Sequence, residues 1–188
     1  TFTGTPPHSF AAHVNTGKVL SLGSFSKILA PGSRLGWIQA APELLSRLIA
    51  NGMIASGGGF SPLGGALIRS MFELDLLPGY VQGLRDTFRG RAAALGDALD
   101  DLRPLGIEFQ RPSGGYFIWV TLPDGLDSVT LLDRAVSNGV RYQPGPKFSP
   151  DGGQRGQLRL CFAYYAEEDL RGGVRRLGQA LQETLREG

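Results

Sequence analysis

One lysine of this chain stands among small hydroxyl residues, in a setting suited to covalent chemistry. Lys27 follows Ser24 and Ser26, and a glycine-containing loop leads from it to Arg34, seven positions later. A lysine amine can condense with an aldehyde, while hydroxyl and guanidinium groups bind an anion. The segment therefore predicts a site for a molecule that carries both an aldehyde and a phosphate. The plain alternative is a surface lysine at the end of a strand.

Pyridoxal phosphate is a molecule of this kind, and its enzymes hold it as a Schiff base with a lysine. Two other lysine patterns fit less well. Serine β-lactamases share the Ser-x-x-Lys spacing of Ser24 and Lys27, but they also need Ser-Asp-Asn and Lys-Thr-Gly, which this sequence lacks. A Walker loop needs glycine before the lysine and Ser or Thr after it, whereas Lys27 lies between Ser26 and Ile28.

Three segments together resemble one protein family. Ser24-Phe25-Ser26-Lys27 with Arg34, leading into Leu-Gly-Trp at residues 35–37, resembles the lysine segment of fold-type I pyridoxal-phosphate enzymes, the class I and II aminotransferases. Gly-Gly-Tyr-Phe at residues 114–117 resembles the start of a strand in their small domain. Residues 158–162 resemble the strand that carries their substrate-carboxylate arginine. The resemblance runs over essentially the whole chain and corresponds to the C-terminal half of such an enzyme.

The resemblance implies a transaminase that moves an amino group between an α-amino acid and a 2-oxo acid, with pyridoxal 5′-phosphate on Lys27. It implies Ser24 and Arg34 as ligands of the cofactor phosphate, a role that suits a short hydroxyl donor and a bidentate guanidinium. It implies Arg159 as the clamp on the substrate carboxylate. Ser26 ranks below Ser24 because neighbouring strand positions point to opposite sides. The plain alternatives are local turn bonding for the serines and solvent-exposed ion pairs for the arginines.

Other activities of the same family stay open at this point. One is the ligand-sensing domain of an aminotransferase-like transcriptional regulator, and another is a pyridoxal-phosphate-dependent lyase of the same fold. The family's remaining cofactor contacts, among them an acid at the ring nitrogen, belong to an N-terminal half that this sequence does not contain. We therefore expect a fragment that is inactive alone and belongs to a homodimer when full length.

Alternating strands and helices predict an α/β fold. The resemblance implies that residues 1–85 complete a large cofactor-binding α/β domain and that residues 86–188 form a small α+β domain. Strands are predicted at residues 18–22, 35–40, 116–122, 140–142 and 157–162. Helices are predicted at residues 42–51, 63–77, 81–102 and 126–136, and from residue 167 to the C-terminus.

Composition and charge limit the kinds of partner that we expect for the protein. A net charge of +2, with dispersed basic residues, argues against nucleic acid and membrane surfaces. A single cysteine, Cys161, suits a reducing compartment, so we expect a cytoplasmic protein. His8 and His13 lack the spacing of metal ligands, so no metal site is predicted. We expect Cys161 to pack within its strand.

Overall fold

A computed structural model of the chain describes residues 1–57 and 61–187. The chain divides into two compact units. The first is Pro6–Leu84, and the second combines Thr1–Thr5 with the chain from Arg85 onward. Most of the loop predicted before Pro62, at residues 57–61, lies outside the described residues. In the described part of the chain, no helix has the length and apolar character needed to span a membrane.

A two-stranded antiparallel ribbon organises the first unit. Strand β1 is Ser21–Ser24 and strand β2 is Gly36–Gln39, paired so that Ser24 lies opposite Gly36. The prediction of a first strand at residues 18–22 is wrong in its bounds. Pairing with β2 begins at Ser21 and continues past Gly23, so the register of the ribbon, and not the apolar run at Val19, sets the strand.

Three helices follow the ribbon: α1 is Pro42–Ile49, α2 is Gly52–Gly57 and α3 is Pro62–Glu73. The predicted helix start at Pro42 is confirmed, since proline fits a first helical turn whose N–H groups have no partner. Gly52 begins α2, whereas the sequence predicted that it ends α1. This unit leaves many large apolar side chains exposed: Leu20, Leu22, Trp37, Ile38, Leu48, Ile49, Ile54, Leu63, Leu67, Phe72, Leu74 and Leu76.

The long helix predicted from its apolar periodicity is confirmed as α4, Leu77–Asp100. Pro78 and Gly79 were predicted to end the preceding helix, but they lie in the first turn of α4. Proline is tolerated there because its missing N–H removes no helical hydrogen bond. Helix α3 ends earlier, at Glu73.

The second unit contains a four-stranded antiparallel sheet in the order β3-β4-β6-β5. Its strands are β3 Glu108–Phe109, β4 Phe117–Thr121, β5 Gln143–Pro144 and β6 Gln157–Cys161. Its further helices are α5 Thr130–Ser137 and α6 Glu167–Glu187. The strand predicted at residues 140–142 forms later, at β5. Helix α5 starts later than predicted, at Thr130, and ahead of it the Asp127 carboxylate accepts the N–H of Val129 at 2.7 Å.

The core of this unit lies on one face of the sheet, where α4, α5 and α6 contribute apolar side chains. Its fully buried members include Leu99, Ile118, Val120, Leu131, Leu158, Phe162, Leu177 and Leu181. The other face of β4 is less well covered, since Phe117 there is 39% exposed. The expectation that Cys161 packs within its strand is wrong, because Cys161 is exposed. Leu185 of α6 is exposed as well.

Candidate active site

The ribbon brings two of the predicted site residues to one end. Ser24 is the last residue of β1 and lies opposite Gly36, and Arg34 precedes Gly36 by two positions. Arg34 ends the 3₁₀ turn Pro31–Ser33 with φ 51° and ψ 39°, a left-handed conformation that is uncommon for a residue with a side chain. Both residues are exposed. The backbone thus places a hydroxyl and a guanidinium at the same end of the ribbon.

The loop between these strands carries Lys27 in a turn closed on a single carbonyl. The Phe25 carbonyl accepts hydrogen bonds from the N–H groups of Ile28 at 3.3 Å, Leu29 at 2.8 Å and Ala30 at 3.3 Å. The Phe25 N–H donates to the carbonyl of Leu35 at 3.0 Å, which ties the base of the loop together. Lys27 is exposed on this turn. Its backbone position is therefore set by Phe25.

A small aromatic cluster holds Phe25 in place. Phe25 is 9% exposed, and its ring lies 4.7 Å from the Trp37 ring and 6.4 Å from the Phe72 ring, measured between centroids. Aromatic pairs at such distances add stability beyond the area they bury. Phe25 and its neighbours were missed in the sequence analysis, because Phe25 lies between two serines without apolar periodicity. Its burial links strand β2 and helix α3 to the turn of Lys27.

Two glycines allow the close approach of the strands beside this loop. A Cβ atom at Gly23 would lie 2.0 Å from Cζ2 of Trp37, so the indole ring occupies the space of that side chain. A Cβ atom at Gly36 would lie 2.6 Å from the carbonyl oxygen of Gly23. Any larger residue at either position would have to displace a ring or a strand.

The Ser24 hydroxyl has a local partner and retains a donor. Its oxygen accepts the backbone N–H of Ser26 at 3.1 Å, which is the turn bonding expected of serine. Because the hydroxyl accepts in this bond, its own hydrogen remains for an anion. Ser26 is half-buried, and its backbone, not its hydroxyl, supports the turn.

The donor groups of this loop fit a phosphate that is joined to an aldehyde. Residues 1–42 contain no Asp or Glu, so the sequence supplies no carboxylate close to Arg34 along the chain. Within the described residues, no carboxylate forms an ion pair with Arg34. A hydroxyl, a guanidinium and an amine on one loop match the groups that pyridoxal phosphate presents. The residues present therefore fit this cofactor.

Arg159 occupies the middle of β6 in the other unit. It lies opposite Trp119 of β4 and Gln143 of β5, on the face of the sheet away from the buried Leu158 and Leu160. Its Cζ atom lies over two aromatic rings, 3.8 Å from the centroid of Phe117 and 4.2 Å from that of Phe148. Among the described residues, no acceptor forms a hydrogen bond with its guanidinium. The group is thus held on two rings and left without a counter-charge from the described part of the chain.

Phe148 was missed in the sequence analysis, and no sequence signal marks it. It ends the 3₁₀ turn Gly145–Phe148, eleven residues before Arg159 and outside any periodic segment. The Tyr116 ring packs edge-on against Phe88 at 5.3 Å and Phe117 at 6.3 Å, measured between centroids. The roles assigned to Lys27, Ser24, Arg34 and Arg159 stay predictions.

Two curated relatives match nearly the whole chain. The aromatic-amino-acid aminotransferase 1 of Thermococcus litoralis is 34% identical over 187 residues, which are 98% of this chain and 44% of the relative. The 2-aminoadipate transaminase of Thermus thermophilus is 38% identical over 171 residues, which are 89% of this chain and 42% of the relative. The chain therefore spans less than half the length of these relatives. The HTH-type transcriptional regulator NorG of Staphylococcus aureus is 26% identical over 171 residues, 90% of this chain and 38% of the regulator.

Solved structures show the same fold. The multiple substrate aminotransferase of Thermococcus profundus covers 100% of this chain with a TM-score of 0.88 and 35% identity, and the match spans 46% of that protein. The α-aminoadipate aminotransferase LysN of Thermus thermophilus, solved with N-(5′-phosphopyridoxyl)-L-leucine, covers 100% of this chain with a TM-score of 0.86 and 33% identity, over 48% of that protein. The fold class inferred from the sequence is confirmed. The family model for aminotransferase class I and II matches residues 2–177, and the chain therefore belongs to this family.

Proposed function

We propose that the full-length protein is a pyridoxal-phosphate-dependent transaminase that moves an amino group between an α-amino acid and a 2-oxo acid. The observation that carries the proposal is the loop that places Lys27 between Ser24 and Arg34 at one end of the ribbon. The family and the titles of the matched aminotransferases support it. Residues 1–85 then belong to the cofactor-binding domain and residues 86–188 to the small domain.

Each residue of the proposed site has a task that suits its chemistry. Arg34 and the Ser24 hydroxyl bind the cofactor phosphate through charged and neutral hydrogen bonds. Bound pyridoxal phosphate supplies an electron sink that makes the substrate Cα–H acidic. The Lys27 amine would hold the cofactor and, in its free form, would accept the proton from the substrate Cα at its Nζ atom. Arg159 binds the substrate carboxylate and fixes the orientation of Cα.

The proposed assembly follows from the family. We propose a homodimer of the full-length protein, acting on amino acid and 2-oxo acid substrates. The isolated 188-residue chain is expected to be inactive. We also propose a cytoplasmic location, because a single exposed cysteine is compatible with a reducing compartment.

Activity of the full-length protein tests this function. Replacing Lys27 with alanine removes the amine and is expected to lower transamination at least about 100-fold, the scale of a lost general base. Lys18→Ala is the matched control, since Lys18 is an exposed lysine outside the loop and its loss is expected to leave turnover unchanged. Amino-group transfer to a 2-oxo acid is measured over a panel of amino acids. Undiminished turnover by the Lys27→Ala protein would contradict the proposal.

A regulator is the second candidate, favoured by the 26% identity to NorG. A sensor domain would bind the same cofactor on Lys27 without needing turnover. The same assay separates the two functions: cofactor binding without amino-group transfer by any amino acid of the panel, together with binding to DNA, would favour the regulator.

A further inference from the structure

We propose that Phe117 and Phe148 form an aromatic bracket that orients the Arg159 guanidinium for a planar carboxylate. The inference rests on the proposed function, in which Arg159 binds the α-carboxylate of the substrate. It adds two positioning residues to that site. Neither phenylalanine is required to contact the reacting atoms, because each acts through the arginine.

The two rings reach Arg159 from separate elements. Phe117 begins β4 and lies diagonally from Arg159 on the same face of the sheet, since Trp119 is the directly opposed residue. Phe148 comes from the 3₁₀ turn after β5 and is itself fixed by an edge-on contact with Trp119, 5.5 Å between centroids. Because the rings come from separate elements, their contacts with Cζ, at 3.8 Å and 4.2 Å, define one place for the guanidinium.

The bracket holds a cation without neutralising it. The face of an aromatic ring carries partial negative charge and attracts a guanidinium within about 6 Å of its centroid. A carboxylate in the same position would hold Arg159 equally well, but it would occupy the N–H donors that the substrate needs. Within the described part of the chain those donors bond to no acceptor. An anion is repelled by the ring faces, so it approaches Arg159 through the free N–H groups.

The ligand class follows from this geometry. An immobilised guanidinium with free N–H groups matches the two oxygens of a planar carboxylate in a bidentate pair. The bracket therefore favours amino acids over amines of the same side chain that lack the α-carboxylate. Both phenylalanines are partly exposed, Phe117 by 39% and Phe148 by 40%, which leaves room for a ligand beside them.

The test compares an amino acid with its decarboxylated amine as donors for the full-length holoenzyme. The measured quantity is the ratio of their kcat/KM values. Phe148→Leu and Phe117→Leu are each expected to lower this ratio about 2- to 30-fold, the range of one cation–π contact, by raising KM for the amino acid. Phe148→Tyr retains an aromatic face and is expected to keep the ratio within about twofold. Because both phenylalanines are partly exposed, their loss leaves the sheet folded.

Phe109→Leu is the matched control. Phe109 lies in the same sheet beneath another arginine, Arg103, whose Cζ is 4.4 Å from its ring centroid. Its replacement is expected to leave the substrate ratio unchanged. If Arg159→Gln lowers the ratio strongly while Phe117→Leu and Phe148→Leu leave it unchanged, the proposed positioning by the two rings is wrong and the proposed role of Arg159 is retained. If Arg159→Gln leaves the ratio intact, the role of Arg159 fails and the bracket fails with it.

Discussion

Replacing Gly23 with alanine tests the geometry of the loop that carries Lys27. The new Cβ atom would lie 2.0 Å from Cζ2 and 2.1 Å from Cε2 of Trp37. Carbon atoms in contact prefer about 3.5–4.0 Å, so the indole ring must move by roughly 1.5 Å. That ring packs on Phe25, whose carbonyl closes the Lys27 turn. The substitution therefore acts on the loop through Trp37 and Phe25.

The expected cost is that of overpacking, about 1–3 kcal/mol in the free energy of opening the β1–β2 ribbon. A double-mutant cycle with Trp37→Leu isolates the clash. Without the indole ring, Gly23→Ala is expected to be neutral or to stabilise by about 0.5–1 kcal/mol, since alanine restricts the unfolded chain more than glycine. The coupling energy between the two sites is then about 1–4 kcal/mol.

Hydrogen exchange of peptides covering residues 21–39 in the full-length protein measures this opening. A cost of 1–3 kcal/mol makes exchange of these amides about 5- to 150-fold faster. Gly32→Ala is the matched control, because a Cβ there meets no atom within 4 Å, and its exchange is expected to be unchanged. Two results would refute the proposed packing. One is that these amides exchange at the same rate in the Gly23→Ala protein as in the unmodified protein. The other is that adding Trp37→Leu to the Gly23→Ala protein does not slow the exchange again.

Two further predictions concern the second unit. Gly145→Ala places a Cβ 2.1 Å from the carbonyl oxygen of Gln154, which is backbone and cannot rotate away, and is expected to lower the melting temperature by the equivalent of about 1–3 kcal/mol. Gly156→Ala, whose Cβ would make only an ordinary 3.8 Å contact, is the control, and equal melting of the two variants would contradict the prediction. Burial alone would raise the pKa of Asp127, but the Val129 N–H and the Arg155 guanidinium outweigh it and lower this pKa. A lowered pKa stabilises the fold above the ordinary aspartate range, and this contribution is lost as the pH falls through the folded-state value. Asp127→Asn is therefore expected to cost about 0.5–1 kcal/mol at pH 7 and nothing below the folded-state pKa, whereas a pH-independent difference in melting temperature would exclude this assignment.

The sequence predicts the second unit better than the first. Helices α4 and α6 follow their apolar periodicity because one face of each is buried against the sheet, so pattern and burial agree. In the ribbon, both Leu22 and Ile38 are exposed although they are typical core residues, so hydrophobicity does not indicate where β1 begins. Pairing with β2 fixes that boundary, and pairing is a long-range property.

In the candidate site, too, some features were predictable from the sequence and others were not. Residue type and spacing selected Lys27, Ser24 and Arg34 as candidates, and the family resemblance added Arg159. The groups that position them were not predictable. Phe25 and Phe148 act through contacts with residues distant in sequence, and the left-handed backbone of Arg34 arises from the 3₁₀ turn that precedes it.

Attachment of the cofactor to Lys27 is the most direct test of the central claim. The full-length protein, loaded with pyridoxal phosphate, is reduced with borohydride, digested and mapped by mass spectrometry. The account predicts a phosphopyridoxyl group on the peptide that contains Lys27 and its absence from the peptides of Lys18 and Lys147. A reduced adduct on either of those lysines, or an unmodified Lys27 in protein that has bound the cofactor, would contradict it.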